Sequence, residues 1–455
     1  VVDQPAGALA LAPSRAVGLT LLGEFQGSGS QRPPCLVRRA DGQVLQLSPL
    51  VYRVLEALDG VRTPDEVARE VLHRGGPELD AVGVRFLVIE RLAPLGLLDD
   101  DRPAPARANP LLALRARTPF IGPSTVNALA LALQPLFRLP VVLLALGALA
   151  LLDVWLLAFH GLGGALGEVV DDPVLALAVL ATTVAAVLFH EFGHAAGCRF
   201  SGARPGAIGF GVYLVYPAFY TDVNDAYRLG RTGRLRTDLG GLYFHALAVL
   251  LLGGVHAATG AEWLLLAALL IQVGMLEQLL PLVRYDGYHV LADLVGVPDL
   301  FARIGPVLRH ATRRDGARDP RVVGLKPWVR VVVTAWVAVV VPFLVLAVSL
   351  LLWHLPRLVT ALGGAGLQEA GASLRALADG ELAAGVAGGV NAFLLLLVVA
   401  GVLYVLQAVL RRAAAAALTW SAGHGRRRAW VVAASVLLVT VLVTGWATTG
   451  QLPGW

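Results

Sequence analysis

Charge is what this chain has least of. Only 15% of its 455 residues are Asp, Glu, Lys or Arg, where soluble proteins of this size carry about 25%. Hydrophobic residues make up 56% and the mean hydropathy is +0.69, which points to a polytopic membrane protein. Cysteine is nearly absent: Cys35 and Cys198 stand far apart, which excludes a disulfide framework and a cysteine-based zinc site. The opening stretch "VVDQPAGALALAPSRAVG" has no basic segment followed by an apolar core, so no signal peptide is expected in it. Because it opens on Val, an upstream or removed start is expected. The formal net charge of +5 is modest, and no basic stripe accompanies it, so nucleic acid is not expected as a partner.

Residues 1–29 are read as an N-terminal segment. Long apolar runs are also missing from residues 1 to about 110; a membrane-spanning helix needs roughly 20 apolar residues. In "CLVRRADGQVLQL" (35–47), Asp41-Gly42 sits between short, partly alternating runs, a hairpin signal. "SPLVYRVLEAL" follows, with Ser48 as N-cap and Pro49 at the first helical position. After a turn at Asp59-Gly60 comes "TPDEVAREVL", where Thr63 and Glu66 have capping-box spacing. A third helix is expected near 79–95, ending at "PLGLL". Hairpin plus three short helices describes a small α+β, winged-helix-like domain at 30–100. This stretch resembles the PqqD-type peptide-recognition domain, and the resemblance implies binding of the leader of a ribosomally made, modified peptide.

An arginine-bearing linker and interfacial segment occupies 101–138. Apolar spans then stand near 139–159, 173–196, 239–259, 263–283, 330–353, 386–410 and 429–447, about seven transmembrane helices in a mainly α architecture. A cytoplasmic loop at 301–329 separates the core at 139–300 from C-terminal helices at 330–455. Arg115, Arg117 and Arg138 precede the first span, and Arg199, Arg204, Arg228, Arg231, Arg234 and Arg236 follow the second. Arg284, Arg303, Arg309, Arg313 and Arg314 follow the fourth, while Arg411, Arg412 and Arg426 to Arg428 precede the seventh. The stretches 160–172 and 260–262 carry acids and no Lys or Arg. The positive-inside rule then makes the N-terminal domain cytoplasmic and puts the end of the chain outside.

Within the second span stands "FHEFGH", with His190, Glu191 and His194 where ionisable side chains are most costly. Positions four apart share one helix face, so both imidazoles can meet one metal ion while Glu191 reaches a water beside it. Zinc in a catalytic site takes a third protein ligand and keeps one position open. The best candidate is Asp286 in "LEQLLPLVRYDGYHVLADLVGVPDL" (276–300), at the same expected depth. Gly287 lets backbone approach closely and Pro281 breaks the helix upstream. Alone, this would be an ordinary interfacial Asp-Gly turn. His289 reads as outlying the ligand set or incidental, and His245 as a packing histidine. "GAIGFGVYLVYPAFYTDV" (206–223) is too glycine-rich for a span and favours strand. It is either an edge that holds an extended substrate, with Phe210 and Tyr213 as contacts, or a plain interfacial hairpin.

"HEFGH" on one span and "DG" after a later one resemble the site-2 protease family of intramembrane zinc metalloproteases. The resemblance covers about 139–300 and implies that His190, His194 and Asp286 hold Zn2+ and that Glu191 is the general base. Gln278 stands where the family usually has Asn, and is carried over as a substrate contact. "YPAFYTDVNDAYRL" (216–229) is similar to the subgroup with PqqD-type domains, some of whose members belong to biosynthetic clusters for modified peptides such as daptides. The expected function is leader removal from a precursor peptide at the cytoplasmic side of a bacterial inner membrane. Regulated proteolysis of a membrane-anchored regulator and a non-catalytic transport or immunity role on the same scaffold are the alternatives.

Overall fold

The computed structural model describes residues 12–99, 114–161, 163–213, 216–312 and 319–449. The expectations for residues 1–11, the linker at 101–113, and Arg313 and Arg314 lie outside the described residues.

The N-terminal unit is a three-stranded antiparallel sheet covered by three short helices. Strands β2 (Cys35–Arg38) and β3 (Val44–Leu47) form the expected hairpin, Cys35 opposite Leu47 and Arg38 opposite Val44. A further strand, β1 (Thr20–Glu24), pairs with β2 from a segment read as preceding the domain. Its pairing is irregular between Leu21 and Gly23, so no clean alternation marks it in the sequence. Helix α1 (Pro49–Ala57) is capped by Ser48, and α2 (Pro64–His73) by the reciprocal bonds of Thr63 and Glu66. Asp80 caps α3 (Ala81–Leu87) through the Gly83 N–H, 2.7 Å away. Val37, Val54, Leu55, Leu58, Val67 and Leu92 are fully buried between these elements.

The apolar part begins with β4 (Arg115–Ile121), α4 (Pro123–Leu133), α5 (Leu139–Trp155), α6 (Gly163–Asp171) and α7 (Pro173–Phe200). The hairpin β5 (Ile208–Tyr213) and β6 (Tyr216–Thr221) follows, then α8 (Arg231–Asp238), α9 (Gly240–Thr259) and α10 (Trp263–Leu279). Next come α11 (Asp286–Val295), α12 (Phe301–Thr312), α13 (Pro320–Val323), α14 (Pro327–Ala378), α15 (Leu382–Ser421) and α16 (Gly425–Thr448). Among the described residues, six helical segments are long and apolar enough to cross a bilayer: α5 extended to His160, α7, α9, α14, α15 and α16.

Two departures from the expected spans have physical causes. The span expected at 263–283 is the 17-residue α10, about 26 Å long. It stops before Pro281, which has no N–H to give and disfavours helical backbone in the residue before it; Leu280 is accordingly extended. Helices α14 and α15 run for 52 and 40 residues, about 78 and 60 Å, far beyond the spans at 330–353 and 386–410. Pro342 and Pro356 lie inside α14 without ending it. Around the turn between the two helices, Ser373 Oγ bonds the Gly385 carbonyl at 2.6 Å.

The β1–β2 connection plugs the N-terminal unit onto the apolar part. The Gly29 N–H bonds Gly296 O at 2.9 Å, the Gln31 N–H bonds Gly324 O at 2.8 Å, and the Lys326 N–H bonds Gly29 O at 2.8 Å. A Cβ on Gly29 would fall 2.1 Å from Val295 O, so only glycine fits there. Arg234, 1% exposed, is the centre of the joint. Its Nε meets Asp293 Oδ1 at 2.8 Å, its Nη1 donates to Gln26 O, and its guanidinium lies 4.3 Å from the Phe25 ring centroid. Burial, followed by the Asp293 charge, holds the neighbouring Asp238 carboxyl well above its ordinary range. Arg234→Ala leaves the Asp293 charge buried and unpaired, at a cost of about 3–5 kcal/mol. The expected result is a lower melting temperature for the purified protein and faster proteolytic release of the N-terminal unit.

Candidate metal centre

Helices α7 and α9 cross with their backbones nearly touching: a Cβ on Gly193 would sit 2.2 Å from Gly240 O. Small residues permit this approach, and it is the usual way helices pack closely in apolar surroundings. The crossing turns one face of α7 inward, where His190 is 4% and Glu191 7% exposed. The Nε2 atoms of His190 and His194 lie 3.0 Å apart. Asp286, the first residue of α11, places Oδ2 3.2 Å from His190 Nε2 and 3.5 Å from His194 Nε2. Between α10 and α11 the chain is held by side chains from elsewhere. Trp336 Nε1–H donates to Pro281 O at 2.7 Å, and the Arg284 N–H donates to the Tyr213 hydroxyl at 2.9 Å. Gly287 packs against the Leu279 carbonyl, as close backbone approach required.

The donor set fits a tetrahedral metal ion. His194 Nδ1 lies 2.8 Å from Thr237 O; a carbonyl only accepts, so Nδ1 carries the proton and Nε2 the lone pair. Asp286 Oδ2 is buried and has no hydrogen bond. His190 Nε2, His194 Nε2 and Asp286 Oδ2 thus converge on one point, with edges of 3.0, 3.2 and 3.5 Å. Tetrahedral zinc with bonds near 2.0–2.1 Å separates its ligands by about 3.3 Å. Such bonding to an outer carbonyl, which fixes the tautomer of a ligating histidine, is characteristic of metal sites.

His245, expected as an ordinary packing histidine, is instead part of this centre. Its Nδ1 is 3.3 Å from His190 Nδ1, with the ring centroids 4.4 Å apart. Were His190 Nε2 to hold a metal ion, His190 Nδ1–H would donate to His245 Nδ1. No spacing rule could find it, because it arrives on α9. Thr221 was missed for the same reason. Its hydroxyl, at the end of β6, lies 2.7 Å from Glu191 Oε2 and 2.9 Å from the Glu191 carbonyl, and so fixes the carboxylate beside the metal position. His289 is not among the clustered ligands; its ring meets Tyr288 edge-on.

The expected substrate contacts are placed as follows. Strand order is β4-β5-β6, so Phe210 and Tyr213 belong to a strand paired on both sides. Phe210 is 47% exposed and Tyr213 is buried. Strand edges open to an extended peptide are those of β4 and β6. Gln278 presents a buried Oε1 with no hydrogen bond.

Another group able to hold a metal, His160, His256 and Glu262, joins the ends of α5 and α9 to the start of α10. His160 Nε2 lies 3.4 Å from Glu262 Oε1. This cluster is more open, and its residues come from three segments with no motif spacing.

A 115-residue part of the chain, 25% of its length, is 32% identical to the "Putative peptide zinc metalloprotease protein YydH" of Bacillus subtilis (strain 168). The match covers 46% of that protein, so the chain spans about half the length of the curated relative it matches. No family profile and no solved structure matches the chain.

Gly241 gives the sharpest test of the geometry. A Cβ there would lie 2.4 Å from His190 Nε2 and 2.6 Å from His194 Nε2, so Gly241→Ala should displace both imidazoles without removing a ligand. Metal analysis of purified protein is expected to find one tightly held zinc per chain. That equivalent should be lost in His194→Ala and largely lost in Gly241→Ala.

Proposed function

We propose that this protein is a membrane-embedded zinc endopeptidase that cleaves at the cytoplasmic side and removes the leader of a ribosomally made, modified peptide. The observation that carries the reading is the convergence of His190 Nε2, His194 Nε2 and Asp286 Oδ2, with the Glu191 carboxylate fixed beside them by Thr221. The likeness to a protein named as a peptide zinc metalloprotease supports the same chemistry. The arginine distribution along the spans supports the cytoplasmic side, and the small α+β unit docked there supports a substrate recognised away from its scissile bond.

Zinc held by these ligands would polarise the scissile carbonyl and acidify water. The chain's own groups do the rest. Thr221 occupies Glu191 Oε2, while Glu191 Oε1 makes no hydrogen bond among the described residues and is free to take a proton. As the water oxygen attacks the carbonyl carbon, its proton passes to Glu191. When the C–N bond breaks, Glu191 returns that proton to the departing amine nitrogen. A helical peptide bond is shielded from such attack, so the substrate must be extended at the centre, and the open edge of β6 ends at Thr221 beside Glu191.

Glu191→Gln keeps the shape and the bond from Thr221 but cannot shuttle the proton. It should retain zinc and fold while turnover of the precursor falls about 10²–10⁴-fold, read as cleaved leader by mass spectrometry. Turnover close to that of the parent would transfer the general base to another group. Thr221→Val, which frees Glu191 without removing it, should lower kcat with zinc content unchanged.

A further inference from the structure

Away from the metal centre, a cleft of about 990 Å³ lies where the N-terminal unit meets α12 and α13. Its walls carry four arginines, Arg32 and Arg53 from the N-terminal unit and Arg303 and Arg321 from the helices opposite. No Asp or Glu lines it among the described residues. Among the described residues none of the four guanidiniums makes an ion pair. Arg53 donates to the Gly75 carbonyl and Arg303 to the Arg321 carbonyl. The acids nearest Arg303 are engaged elsewhere: Asp319 with Arg309 at 3.3 Å and Asp299 with Arg284 at 2.8 Å. Burial, then the like charge of Arg321, pulls the Arg303 guanidinium below its ordinary value, against the smaller opposing pull of Asp299 and Asp319.

Like charges gathered around one concavity repel each other and concentrate anions. A planar guanidinium fork binds a carboxylate in two parallel bonds. The cleft also borders the end of β3, at Gln46 and Leu47. Among the described residues β3 pairs only with β2, which leaves its outer edge without a neighbouring strand. That edge can engage a peptide backbone but has no counterpart in a lipid headgroup, and a lone phosphate would fill only a small part of the space.

We propose that this cleft binds a stretch of the substrate peptide rich in Asp and Glu, gripping it between the N-terminal unit and the α12–α13 helices. The proposal rests on the peptidase reading and names the chemistry by which the substrate is held. Holding the peptide there raises the effective concentration of its remaining length at the metal centre.

The test uses full-length Glu191→Gln protein in an uncharged detergent, with fluorescein-labelled octaglutamate and octaglutamine read by anisotropy. Octaglutamate should bind at least tenfold more tightly than octaglutamine, and salt should weaken it. Arg303→Gln/Arg321→Gln should weaken octaglutamate binding tenfold or more, as should Arg32→Gln/Arg53→Gln on the opposite wall, while Arg69→Gln on the exposed face of α2 leaves it unchanged. Two separate pairs keep the test decisive if one fails to fold. Equal binding of the two peptides, or parental binding by both folded double variants, overturns the proposal. Complete displacement of octaglutamate by millimolar inorganic phosphate would make this a small-anion site. If the variants lose affinity for phosphatidylglycerol vesicles while still binding octaglutamate, it is a lipid site. Either outcome overturns the proposal. Binding is read without turnover, so failure here leaves the peptidase reading standing, and absence of cleavage in the parent leaves the peptide site standing.

Discussion

Two imidazole nitrogens and a carboxylate oxygen lie within 3.5 Å of one another in an apolar surround. Removing a carboxylate from water without compensation costs several kcal/mol. A divalent cation between the three would supply that compensation. Much of the core serves this one arrangement. The α7–α9 glycine crossing brings two histidines against a backbone thin enough to leave room, and the early end of α10 lets Asp286 enter at the start of α11. The indole of Trp336 and the hydroxyl of Tyr213 hold the connecting turn in place. The oriented cage takes contributions from α7, α8, α9, α11, α14 and β5.

What could be read from the chain beforehand follows from how far apart the cooperating residues lie. His190, Glu191 and His194 sit on one helical turn, so their cooperation is visible as a spacing. Asp286 was reachable because its Asp-Gly pair and the preceding proline mark the end of a helix at a matching depth. Ser48, Thr63 and Glu66 were likewise legible, since helix caps are local chemistry. Thr221 and His245 were not, because each comes from a different element and neither has a motif around it. The lengths of α14 and α15 were illegible for another reason. Span reading stops where hydropathy falls, but a helix continues while nothing breaks its backbone, and the less apolar turns near Ser373 are stabilised by packing against the partner helix.

The short helix α11 ties the two halves of the molecule together. Its first residue, Asp286, faces the metal position; Asp293 near its end pairs with Arg234, and the next turn bonds the Gly29 backbone. Ten residues make a rod of about 15 Å, too short to bend appreciably. The N-terminal unit and Asp286 are therefore joined through the two ends of one short helix, with a buried ion pair at the joint. Removing the unit would expose Arg234 and Asp293 to water together and free the far end of the helix that positions Asp286. Simple truncation consequently mixes any loss of the proposed recognition with damage to the arrangement of Asp286 and the two histidines. Point substitutions on the outer arginines, which touch neither the joint nor the ligands, separate the two effects, because the guanidiniums facing the cleft contribute charge to its walls without supporting α11.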